Sequence, residues 1–95
     1  MSLRAGPYTF NHVTYDGPSD VLYAAIASPG AAAERRPTPE AHVLRFDSRG
    51  RFAGIILVSP REQLEREGGV FISLPDGSRA RVQGFDRLLG DTNEY

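Results

Sequence analysis

The apolar and polar positions of this chain fall into short alternating runs separated by turn formers, a pattern that predicts strands. Tyr8 to Tyr15 is dense in aromatic and β-branched residues and reads as one strand. Its parity slips midway: Tyr8 and Phe10 share one face, Val13 and Tyr15 the other, which predicts a bulge near Asn11-His12. The turn formers Asp16-Gly17-Pro18-Ser19-Asp20 follow, and Val21 to Ala27 closes a hairpin as the second strand. Ser28 to Glu40, with three prolines and a paired Arg35-Arg36, reads as a mobile loop. Ala41 to Asp47 and Arg51 to Val58 form a second hairpin about Ser48-Arg49-Gly50.

A helix is predicted over 60–67. Ser59 stands at the cap with Glu62 three residues on, Pro60 takes the first helical position, and Gly68-Gly69 ends the helix. Leu64 is its one residue to bury. Val70 to Leu74 and Arg79 to Gly84 flank the turn Pro75-Asp76-Gly77-Ser78, with Arg79, Arg81 and Gln83 on one face and Ala80 and Val82 on the other. Phe85 to Leu89 forms one helical turn, and residues 91–95 fray. Met1 to Arg4 lacks the apolar core of a signal peptide and receives no element. Six strands with one short helix and no βαβ alternation predict a single α+β domain over residues 1–95, mostly antiparallel sheet.

Composition narrows the function. The 95 residues include no cysteine, which excludes a disulfide framework, a thiolate metal site and a cysteine nucleophile. A net charge of −1 provides no global field toward nucleic acid or an anionic membrane. No apolar run approaches a membrane span, so a cytoplasmic location is expected. Leu, Ile, Val and Phe supply 23 of the 95 residues, enough for a small core. All 11 cations are arginines; scattered as they are, they read as a compositional bias.

Four groups of residues are candidates for chemistry or contact. Asp16 and Asp20, with His12 or Tyr23 nearby, could bind a divalent cation or act as an acid–base pair; the competing reading is that the aspartates bond to turn backbone. His12 and His42 read as half-exposed sheet residues, and no cofactor is implied. Arg35, Arg36, Arg79 and Arg81 are candidates for anion contact, set against a reading as solvated faces with weak ion pairs. Ile55, Ile56, Leu57 and Val58 are apolar on both parities, so the strand needs cover on both faces. The predicted helix offers little, which makes these four residues candidates for an interface with a second subunit or a partner protein.

Two segments carry a resemblance. Tyr15, Asp16, Asp20, Leu22 and Tyr23, followed by Asp47, Gly50, Gly54, Ile55 and Leu57, match the pattern of a family of small bacterial proteins known as domain of unknown function 2283. The resemblance covers about residues 12–60. Ile56 stands where the family carries glutamate, which makes this strand more apolar. The resemblance implies no established activity; an antitoxin-like role beside a ribonuclease-type toxin is what it suggests. Together these readings point first to a non-enzymatic homo-oligomeric or protein-binding module. A metal-binding, ligand-binding or enzymatic use of Asp16 and Asp20 comes second, and weak nucleic-acid contact through the arginines third.

Overall fold

Nine short strands and two helices build the fold in the computed structural model, which describes residues 2–26 and 34–92, with side chains described through Leu89. The strands are β1 (Leu3–Ala5), β2 (Tyr8–Phe10), β3 (His12–Asp16), β4 (Val21–Ala25), β5 (Glu34–Pro37), β6 (Val43–Phe46), β7 (Phe52–Val58), β8 (Phe71–Ser73) and β9 (Arg79–Gln83). The helices are α1 (Pro60–Glu67) and α2 (Phe85–Thr92). Every strand pairing is antiparallel, in two sheets ordered β2-β1-β9-β8 and β3-β4-β7-β6-β5. The protein is thus an α+β domain dominated by antiparallel sheet. No helix among the described residues is long and apolar enough to cross a membrane.

The parity slip in residues 8–15 marks a change of sheet. The chain breaks at Asn11, so β2 and β3 belong to different sheets rather than to one bulged strand. Each half keeps its own apolar face inward: Tyr8 and Phe10 in the first sheet, Val13 and Tyr15 in the second. The two sheets bury their inner faces against one another, about 10 Å apart in such packings. Leu3, Ala5, Phe10, Ile72 and Val82 from one sheet meet Leu22, Ala24, Leu44, Phe46, Ile55 and Leu57 from the other in one apolar cluster, joined by Phe85, Leu88 and Leu89 of α2. Phe52 seals one end, its ring 4.7 Å from Tyr8 and 6.0 Å from Phe10.

Several expectations change. Residues 3–5 form a strand where none is predicted, held between β2 and β9. Within the predicted loop 28–40, residues 34–37 form the edge strand β5, where Pro37 can leave its missing N–H unpaired; residues 27–33 lie outside the described residues. The second strand ends at Ala25 rather than Ala27. The turn at Phe85 continues to Thr92 because Leu88 and Leu89 reach the core, and of the predicted frayed tail residues 93–95 lie outside the described residues. The three turns match their sequence signals. Asp47 accepts the Arg49 and Arg51 N–H groups at 2.8 and 2.9 Å around Gly50, which has φ 78°.

Helix α1 has the predicted bounds and proline, but not the predicted cap. Ser59 is left-handed (φ 54°) and makes no side-chain cap bond, so the Ser59/Glu62 capping box is absent. The Asp20 carboxylate, brought from the β3–β4 turn, accepts the Arg61 N–H at 3.1 Å and the Glu62 N–H at 3.3 Å instead. A left-handed Ser59 follows from the sharp exit of β7, where its N–H donates to the Asp20 carbonyl at 2.8 Å. The helix buries Pro60 and Gln63, with Leu64 only partly covered.

Candidate functional site

The doubly apolar strand resolves into two faces with different fates. Ile55 and Leu57 pair with Ala24 and Leu22 and are wholly buried between the sheets. They are core residues, and their cover is the four-stranded sheet rather than a second subunit. Ile56 and Val58 point the other way. On that outer face Ile56 lies between Tyr23 of β4 and Val43 of β6, and Val58 lies opposite Val21. Tyr23 is 47% exposed and Val58 40% exposed, the two large apolar side chains most open to solvent among the described residues. Val21, Tyr23, Val43 and Val58 therefore form an apolar patch across three strands around Ile56, which is itself only 8% exposed. The shared parity of Val21 and Tyr23 is visible in the sequence; that they share a face with Ile56 and Val58 is set by the register of β4 on β7.

Asp16 and Asp20 are drawn into turn and helix contacts. Asp16 accepts the Ser19 hydroxyl, and Asp20 accepts the Tyr15 hydroxyl at 2.8 Å besides capping α1. Asp20 itself has φ 54°, a left-handed conformation that aspartate tolerates better than most residues. Burial, with the Asp20 carboxylate adding to it, pushes the Tyr15 hydroxyl up to about 12. Its stabilising contribution is thus complete below pH 10 and lost as pH rises through 12. His12 is exposed at the start of β3, and among the described residues no group of three metal-ligating side chains converges. Asp20→Ala is expected to cost about 1–2 kcal/mol, the usual worth of an N-cap. Asp20→Asn, which keeps an acceptor, should cost less; urea melts of the two variants check this ordering.

His42 departs from the expected half-exposed position. It is 1% exposed. Its Nδ1 accepts the Val58 N–H at 3.0 Å, so the ring proton sits on Nε2, which donates to Gln63 Oε1 at 2.8 Å. Gln63 passes the chain on through Nε2 to the Phe71 carbonyl at 3.5 Å. Burial pulls the imidazole below its ordinary pKa. Next to it, Glu40 accepts both the N–H and the hydroxyl of Ser73 at 2.9 Å. Burial pushes the Glu40 carboxyl up, but hydrogen bonds from Ser73, from the Glu40 backbone and from Thr38 together outweigh it and hold it below the usual range. These two relays tie the five-stranded sheet to α1 and β8.

Three of the four candidate arginines are engaged with protein groups. Arg36 bonds Glu34 at 3.3 Å and lies over the Phe46 ring; Arg79 reaches Glu40 and Glu67, both at 3.4 Å, and lies over Phe71; Arg81 donates to the Gly68 carbonyl at 3.2 Å. Arg35 is exposed on β5. Arg35-Arg36 and Arg79-Arg81 lie in different sheets. The fold and its surfaces define a small two-sheet α+β domain with an apolar outer sheet face. No family model, curated protein or solved structure matches the chain.

Proposed function

We propose that the protein is a non-enzymatic, self-associating module, and that the outer face of its five-stranded sheet is the surface it offers to another chain. The observation that supports this reading is the patch of Val21, Tyr23, Val43 and Val58 around the buried Ile56, with Tyr23 and Val58 left 47% and 40% exposed. Such apolar surface on a small domain marks an interaction site. A second copy suits it: a chain of net charge −1 does not repel itself strongly, and the centre of the patch carries no charge. The antitoxin-like role implied by the resemblance would be one use of such a module, with a toxin as a further occupant. Light scattering across a concentration series tests the reading. The wild type is expected to exceed the 10.4 kDa of one chain, and Tyr23→Arg and Val58→Arg to return it toward that mass with unchanged melting. A wild type of one-chain mass up to its solubility limit would overturn the reading.

A further inference from the structure

Among the described residues the five-stranded sheet ends in two open edges of unlike character. β5 carries Arg35, Arg36 and Pro37, and arginine charge with a missing N–H discourages pairing with another strand. β3 carries neither lysine, arginine nor proline. The open edges of the other sheet, β2 and β8, are three residues each. β3 is therefore the longest edge free of lysine, arginine and proline, and among the described residues no backbone bond outside its pairing with β4 reaches residues 12–16.

We infer that β3 pairs antiparallel with β3 of a second copy about a two-fold axis at Thr14. The inference rests on the reading of the protein as a self-associating module, but not on the apolar patch. The backbone sets which groups are free. Asp20 accepts from Ser59, and Ile26 donates to Ala53, so the even-numbered residues of β4 point their N–H and C=O toward β7. The odd-numbered residues Val21, Tyr23 and Ala25 then bond their β3 partners Asp16, Thr14 and His12. This leaves the N–H and C=O of Val13 and Tyr15 aimed at the open edge. A two-fold at Thr14 places Val13 opposite Tyr15 of the second copy, and each exchanges both backbone bonds with the other. The same register puts His12 opposite Asp16 of the second copy, twice by symmetry, in the pairs whose side chains approach most closely. Shifting the axis to Val13 or Tyr15 loses both His–Asp pairs and shortens the ladder. The sheet becomes continuous through ten strands, five from each copy, and the two outer faces join into one surface.

The chain has no cysteine, so Thr14→Cys gives a clean probe. In this register the two Cα atoms at position 14 lie about 4.5 Å apart, within the range a disulfide spans. Under mild oxidation Thr14→Cys is expected to run as a linked dimer on a non-reducing gel, whereas Thr9→Cys, also exposed but on the other sheet, stays monomeric. His12→Glu, which faces carboxylate with carboxylate, is expected to weaken association about tenfold, and the swap His12→Glu with Asp16→Arg to restore it. If the protein self-associates but the Thr14→Cys variant links no faster than the Thr9→Cys variant, the edge pairing is overturned and the self-associating reading stands. If Thr14→Cys links and the swap restores association while Tyr23→Arg and Val58→Arg have no effect, the edge pairing stands and the patch loses its role. A wild type that never leaves one-chain mass overturns both.

Discussion

His42→Leu is expected to lower the free energy of unfolding by about 2–5 kcal/mol, a large share of the roughly 5–15 kcal/mol that a domain of this kind possesses. Leucine nearly fills the volume, so the loss is not chiefly a cavity. It comes from stranding two groups. The Val58 N–H loses its acceptor and Gln63 Oε1 loses its donor, in a region where His42 and Gln63 are 1% and 3% exposed. Gln63→Leu added to His42→Leu should recover part of the loss, since an apolar pair leaves fewer orphaned groups than a half-satisfied one. Urea denaturation of the two variants measures both effects. The pH dependence carries a second signature. The folded imidazole titrates below the unfolded one, so the unfolded chain binds the proton first as pH falls. The His42 contribution is complete above about pH 6.5 and declines as pH drops from there toward the lowered native value, by at most about 1.4 kcal/mol per unit. The difference in stability between wild type and His42→Leu should shrink over that window and stay level above it.

Gly54→Val is expected to cost more than about 3 kcal/mol, and Gly54→Ala about 1–3 kcal/mol, through overpacking rather than backbone conformation. Gly54 sits in the middle of β7, opposite Ala25 of β4 and Arg45 of β6. A Cβ there would overlap the Ala24 carbonyl oxygen and lie 3.2 Å from Ala25 Cα. Those are backbone atoms of a central strand pair, so no side chain can swing aside to make room. Val adds two methyl groups to the same collision. Gly50 is the informative contrast. Its φ of 78° favours glycine, yet nothing lies within 4 Å of a Cβ placed on it. Gly50→Asn should therefore be tolerated far better than either change at Gly54, and thermal melts of the three variants rank them.

Where the sequence-based expectations held, they rested on short-range chemistry. The bounds 60–67 of α1 follow from Pro60 and from Gly68, whose N–H closes the helix on the Leu64 carbonyl at 2.9 Å. The β6–β7 and β8–β9 turns follow from Asp47 with Gly50 and from Asp76 with Gly77, Asp47 accepting two N–H groups and Asp76 one within its own turn. The exposed face Arg79, Arg81 and Gln83 follows from strict alternation. Each of these signals is complete within a few residues.

The candidate site was only half legible for the same reason. A run such as Ile55 to Val58 announces that both faces are apolar, but not what covers each. The four-stranded sheet, begun by the unforeseen β1, buries Ile55 and Leu57 and leaves Val58 open. Asp16 and Asp20 announced a turn, yet the decisive partner of Asp20 is a helix start 41 residues away. His42 looked like any strand histidine until Val58 and Gln63 closed around it. Alone, then, the sequence determined the turns, the helix ends and the alternation of the strands, because those depend on local dihedral preference and hydrogen bonding. Which sheet each strand joins, which apolar face is core and which is surface, and which polar groups are consumed in structure were decided by tertiary contacts, because burial and strand register depend on residues far apart in the chain.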